Sequence, residues 1–259
     1  MASCRPTAWA ALPLMPMTSV VPRMPSSTTG PPITARCSGW VISATVGAIN
    51  STGIMERKKS ATVLICSGLM SPVSSVSSIR IRPYTLAGMG SGSRARIDSA
   101  LACSLTSRLI KSGISLSAVL ETVNTSLMVK SADESFATLD ICRIDLNSGE
   151  AVIYKAGAAA TYIKSGDRMS RAVLSSQPIG SGGSVTVPAQ KFHVTAGDIV
   201  VMTTDGAFLD EEWLSRELSR ELPAKGGPQE LSERIAHAAR SAENGREDDI
   251  SIITVVIGR

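Results

Sequence analysis

Apolar residues recur every four positions from Ile97 through Leu101 and Leu105 to Leu109. That spacing puts them on one face of a helix between Ser93 and Gly113, and the glycine suits its C-terminal stop. Ser115 stands where an N-cap hydroxyl belongs, and Leu116, Val119, Leu120, Val123 and Leu127 predict a second amphipathic helix. The pattern then changes. Phe136 to Leu146 (FATLDICRIDL) is rich in strand formers, residues 147–150 (NSGE) form a turn signal, and Ala151 to Lys155 (AVIYK) returns as a strand. Thr161 to Lys164, a Gly166-Asp167 turn and Arg168 to Leu174 predict another hairpin. Ile199 to Thr203 is a short apolar strand that runs into Thr204-Asp205-Gly206.

Asp210 to Leu222 reads as helical, and Pro228 opens a clearer helix with Leu231, Ile235, Ala238, Ala239 and Ala242 as its buried stripe. Asp248-Asp249 leads into Ile250 to Ile257 (ISIITVVI), a β-branched run suited to a buried strand. Strands and helices come in clusters rather than in strict alternation. An antiparallel-rich α+β domain is therefore predicted over a doubly wound sheet.

Before residue 86 no period of 3.6 or 2 is sustained, and composition breaks near the same place. Residues 1–97 hold ten Lys/Arg against the single acid Glu56, while residues 98–259 hold sixteen basic residues against twenty-one acids. Nine of the thirteen prolines and seven of the ten methionines also precede residue 98. The overall charge of +4 thus averages two unlike parts. Residues 1–85 are expected to be an irregular basic segment, largely disordered or poorly packed, and 86–259 a folded domain. An out-of-frame translation or an eroded gene produces such a composition. The basic residues are scattered and no aromatics interleave with them, which argues against a nucleic-acid arm. Met1 to Val21 has one basic residue and three interrupting prolines, a poor signal peptide. No run reaches the roughly 18 apolar residues of a membrane span.

The five cysteines, Cys4, Cys37, Cys66, Cys103 and Cys142, form no CxxC pair, so small buried residues in a reducing cytoplasm are expected. His193 and His237 have no neighbouring ligand or nucleophile partner in sequence. The acids are more informative. Asp205 follows one apolar strand and Asp248-Asp249 precedes another. If those strands are neighbours, the carboxylates meet at one end of a sheet and suit a hard divalent cation. The alternative leaves Asp205 capping a turn and Asp248-Asp249 in a solvated loop.

Six segments carry a resemblance. In order they are Gly88-Met89-Gly90-Ser91-Gly92, Phe136-Ala137-Thr138-Leu139-Asp140, Lys155-Ala156-Gly157-Ala158-Ala159, Gln177-Pro178-Ile179-Gly180, Thr204-Asp205-Gly206 and Glu247-Asp248-Asp249-Ile250-Ser251. Together they make the chain, from about Leu86 onward, resemble the sporulation branch of the metal-dependent (type 2C) serine/threonine protein phosphatases. The resemblance implies two antiparallel sheets flanked by helices, with the N-terminal strands incomplete or irregular. It implies two Mn²⁺ or Mg²⁺ ions that activate a bridging water, and no nucleophilic side chain. Asp205 and Asp248 would be metal ligands, Asp249 would stand beside them, and Gly88, Gly90 and Gly206 would line the substrate site. The implied substrate is a phosphorylated anti-anti-sigma factor of the STAS type. The implied location is the cytoplasm, with relatives tethered to a membrane, and a homodimer is compatible with it.

The departures are equally specific. Ala87 stands where the family's Asp-Gly-Met-Gly run has its aspartate, or a short deletion removes that residue. A second family aspartate belongs upstream, and no Asp precedes Asp98. Two divalent cations repel at close range, so two missing carboxylates weaken a dinuclear site. The chain is then an impaired phosphatase, a non-catalytic module that holds a phosphoprotein, or a damaged copy of an active relative. The out-of-frame origin predicts that another reading frame of the DNA encoding residues 1–85 restores an acidic, periodic sequence. If no frame does, that origin is wrong.

Overall fold

The computed structural model describes residues 33–37, 40–49, 61–67, 80–88, 93–130, 136–145, 148–183, 186–220, 227–242 and 250–258. Its strands satisfy their backbone groups in two antiparallel sheets. The first sheet runs, in spatial order, β1 (Ile33–Cys37), β2 (Trp40–Ile49), β11 (Ile250–Gly258), β10 (Ile199–Thr203), β7 (Thr161–Ser165) and β8 (Arg168–Ala172). The second runs β3 (Ala61–Ser67), β4 (Arg80–Gly88), β5 (Ala137–Asp145), β6 (Glu150–Ala156) and β9 (Ala189–His193). Four helices among the described residues complete the α+β fold: α1 (Ser93–Lys111), α2 (Leu116–Lys130), α3 (Glu211–Leu218) and α4 (Gly227–Ala242).

Alternation along the strands assigns their side chains to layers. Cys142 and Ile144 of β5, Ala151 and Ile153 of β6, Ile163 of β7, Val200 and Met202 of β10, and Ile253, Val255 and Ile257 of β11 fill the space between the sheets. Their neighbours in sequence face outward. Leu139, Ile141 and Ala156 pack under α1 and α2. Tyr162, Ile199, Val201, Ile250 and Ile252 pack under α3 and α4. Each sheet is therefore covered on its outer face by a helix pair. This double covering explains why β11 is apolar at almost every position, as its β-branched run predicts.

The helices begin and end where local chemistry dictates. At the end of α1, Gly113 takes φ of 78° and its N–H donates to the Ile110 carbonyl at 3.1 Å, while the Ile114 N–H reaches the Leu109 carbonyl at 3.2 Å. The Asp210 carboxylate caps α3 by accepting from the Trp213 N–H at 2.6 Å. Ion pairs then tie each helix pair together: Lys130 to Asp98 across α1 and α2, and Arg234 to the buried Glu217, at 2.7 Å, across α3 and α4.

Two expectations about buried helix faces are corrected. The buried face of α1 is not the Ile97, Leu101, Leu105, Leu109 stripe. Ile97 is exposed and the three leucines are half-buried. Asp98, Ser99, Ala102, Cys103, Thr106, Ser107 and Ile110 are buried instead. Small residues there let the helix backbone approach its neighbours, and the leucines fill the flanks. In α4, Ser232 and Ala236 are buried, while Ala238 is half-buried and Ala242 is exposed. Toward the N-terminus, β1 to β3 lie before residue 85 and β4 runs across it to Gly88. β2 pairs with β11 over nine residues, from Val41–Gly258 to Ile49–Ile250, and β4 pairs with β5.

The inner layer sets the stability of this arrangement. Ile153→Ala is expected to cost about 2–5 kcal/mol, seen as a lower urea midpoint. Val173→Ala, on an exposed position, stays within about 0.5 kcal/mol in the same measurement.

Candidate functional site

Strand registers bring several chain segments to one end of the sandwich. Gly88 closes β4 opposite Ala137, the first residue of β5, and Leu139 of β5 lies opposite Ala156, the last residue of β6. In the other sheet Thr161 opens β7 opposite Met202, and Thr203 closes β10 opposite Ile252 of β11. Ile250, the first residue of β11, pairs with Ile49 at the end of β2. All seven of these strand ends therefore emerge on the same side.

The turn that follows β10 is pinned there. Thr204 and Ser251 bond reciprocally: the Thr204 N–H donates to the Ser251 carbonyl at 3.1 Å, and the Ser251 N–H donates to Thr204 Oγ1 at 2.9 Å. The Ala207 N–H closes the turn on the Thr204 carbonyl at 3.0 Å. Asp205 sits at the exposed tip and Gly206 is buried beneath it. Beyond the turn, a shallow groove of about 580 Å³ runs between α3 and α4, lined by Phe208, Leu209, Trp213, Arg216 and Ala238 among others.

A charged pair lies inside the sandwich at this end. Asp140 and Lys155 are direct cross-strand partners on β5 and β6, and neither has any exposed side-chain surface. Alternation turns both toward the opposite sheet. Lys155 Nζ donates to Asp140 Oδ2 at 2.5 Å, to the Ala159 carbonyl at 2.5 Å and to Thr161 Oγ1 at 2.8 Å. The Thr161 hydroxyl also donates to Asp140 Oδ2 at 2.7 Å. Burial pushes the Asp140 carboxyl up, and the Lys155 charge and the two hydrogen bonds pull it partly back. Asp140 Oδ1 makes no hydrogen bond among the described residues. Burial, reinforced by the Asp140 charge, likewise pushes the Cys142 thiol up. Cys103 and Cys142, the two cysteines whose burial is described, are both buried, as expected of small core residues.

The loop between β6 and β7 is held from both sides. The Gly157 N–H donates to Ser176 Oγ at 3.1 Å, and that hydroxyl donates to the Lys155 carbonyl at 2.9 Å. Gly157 takes φ of 61°, and a Cβ there would come within 3.0 Å of Pro178 Cγ, so only glycine fits without strain.

The sequence-predicted residues are distributed as follows. Asp205 and Gly206 form the turn, and Gly88 ends β4 on the same side. Gly90, Asp248 and Asp249 lie outside the described residues. The proviso that the two apolar strands be neighbours is met, since β10 pairs with β11. The described residues, which leave out Asp248 and Asp249, do not by themselves make a two-metal donor set. Among the described residues no three His, Cys, Asp or Glu side chains gather as ligands would, and Ala87 occupies β4 beside Gly88. Sequence reasoning passed over the Asp140, Lys155 and Thr161 cluster. A lone lysine in a strand ordinarily marks a solvated face, yet its parity with Ala151 and Ile153 was a usable signal.

Comparison with known proteins matches this arrangement. The sequence profile of the stage II sporulation protein E family matches residues 84–257. Stage II sporulation protein E of Bacillus subtilis (strain 168) is 30% identical over 178 residues, which cover 66% of this chain and 21% of the relative. The chain therefore spans about a fifth of that relative's length. The solved type 2C phosphatase domain of that Bacillus subtilis protein, with a fragment of its regulatory domain, superposes with a TM-score of 0.68 at 23% identity, covering 85% of this chain and 64% of that one. RsbX, solved in complex with magnesium, gives 0.62 at 16% identity over 88% of this chain and 100% of its own. With its profile match over most of its length and its type 2C phosphatase fold, the chain belongs to the stage II sporulation protein E family.

Proposed function

We propose that this chain is a sporulation-type serine/threonine protein phosphatase domain, directed at a phosphorylated anti-anti-sigma factor of the STAS type, with turnover impaired by lost aspartates. The observation that carries this is the shared end of the sandwich. The Asp205 turn, the start of β11 and the Ala87-Gly88 end of β4 all emerge there. Family membership supplies the reaction class, and Ala87 in place of an acid supplies the impairment.

The proposed metal ligands are Asp205 and Asp248, with Asp249 beside them, and the proposed substrate contacts are Gly88, Gly90 and Gly206. The proposed cation is Mg²⁺ or Mn²⁺, and the magnesium complex of RsbX supports the former. With Ala87 in place of an acid and no Asp before Asp98, the carboxylates present fall short of a dinuclear set. The same shortage favours a second reading, a non-catalytic module that keeps the phosphoprotein surface and holds its partner. No helix among the described residues is long and apolar enough to cross a membrane. A cytoplasmic site of action and an out-of-frame or eroded origin for residues 1–85 belong to the same proposal.

Purified chain that is folded by circular dichroism is expected to hydrolyse a generic phosphate ester at background rate in millimolar Mn²⁺, with Asp205→Ala indistinguishable from it. Metal-dependent turnover that disappears in Asp205→Ala would overturn the impairment. The partner assignment predicts tighter binding of a phosphorylated STAS protein than of its unphosphorylated form, measured by titration calorimetry. Equal affinities would remove it.

A further inference from the structure

The buried Lys155 ammonium takes no part in the function proposed above, yet its contacts lead toward the acidic turn. Lysine is almost never fully buried, and an ion pair taken out of water gains little over well-packed apolar residues of the same volume. What the pair contributes is geometry. Nζ fixes the Ala159 carbonyl from the side of the second sheet. The next carbonyl along, that of Ala160, accepts from Thr203 Oγ1 at 3.0 Å. Consecutive carbonyls of one short loop are thus held from the two sheets, one by the buried pair and one by the last residue of β10. Thr203 is followed directly by Thr204, whose reciprocal bonds to Ser251 fix the Asp205 turn against β11.

We propose that Lys155 is a positioning residue: through the Ala159–Ala160 peptide and Thr203 it holds the Asp205 turn in register with the start of β11. The turn's part in phosphate chemistry rests on the function proposed above, whereas the mechanical coupling does not. The Asp140 carboxylate anchors the lysine, and Thr161, bonded to both members of the pair, fixes the start of β7 in the same cluster. The described residues thus give a path of hydrogen bonds and backbone links from β5 to the turn.

Amide hydrogen exchange on the full chain, without metal or phosphoester, tests this. The Thr204 and Ser251 amides report the turn. The Ile257 amide, which donates to the Asp198 carbonyl at 2.9 Å, reports the far end of the same strand pair. In the double variant Lys155→Met with Asp140→Leu, which removes both charges and keeps apolar volume, Thr204 and Ser251 are expected to exchange at least about tenfold faster relative to Ile257. Thr203→Val should give the same signature, and adding it to the double variant should bring no further increase. Equal acceleration of all three amides would mean a merely structural role and overturn the proposal. So would unchanged exchange at Thr204 and Ser251, or additive effects of the two lesions. If the double variant does not fold, Thr161→Val, which removes one Nζ acceptor and leaves the charges paired, takes its place with the same expected and overturning results. Because no turnover is read, failure of this coupling and failure of the phosphatase assignment are seen separately.

Discussion

An ammonium group with no exposed surface must place all three of its protons on fixed acceptors, and the Lys155 side chain does so with three groups from two pieces of chain, β5 and the segment that leads into β7. This requirement constrains the sandwich more tightly than apolar packing does. Ile153 or Met202 would tolerate a small slide of one sheet over the other, because dispersion contacts are non-directional. A lysine shared between Asp140, Ala159 and Thr161 would not, since sub-ångström displacements break its bonds while desolvation of the charge persists. The carboxyl answers the same constraint, with one oxygen taking two hydrogen bonds and the other none among the described residues.

Around that fixed point the layers follow from parity. Each central strand must present apolar residues to both sides, because the other sheet covers one face and a helix pair covers the other. The helices meet this demand differently. α2 buries branched and long side chains, Val119, Leu120, Val123 and Leu127. α1 presents serine, threonine, alanine and cysteine, and packs by proximity rather than by volume.

Much of this was legible in the sequence. The hairpin of β5 and β6, the strands β10 and β11, the caps at Ser115 and Gly113, and the helices α2, α3 and α4 all follow from local rules, because propensity and burial agree there. The face of α1 did not follow, since hydrophobicity marks what gains by burial and not how closely a backbone can approach. β9 (AQKFH) escaped because it is a short edge strand with alternating exposed positions, and a polar edge carries little signal. β1 to β4 escaped because their residues show no sustained period. Of the candidate site, the Asp205 turn was visible as a strand-to-turn junction. The lysine behind it was not, because charge in a strand suggests solvent until its partner on the adjoining strand is recognised.

The position of β11 between β2 and β10 has a consequence for synthesis. The strand at residues 250–258 is central in its sheet, not an edge, and its two neighbours come from residues 40–49 and 199–203. Until that segment leaves the ribosome the sheet exists as two halves, each with a bare hydrogen-bonding rim and an uncovered apolar face. A nascent chain in this state is vulnerable to aggregation and is a natural client for chaperones. Insertion of the final strand seals both rims in one event, so the domain should acquire its fold late and cooperatively rather than by growth from its N-terminus.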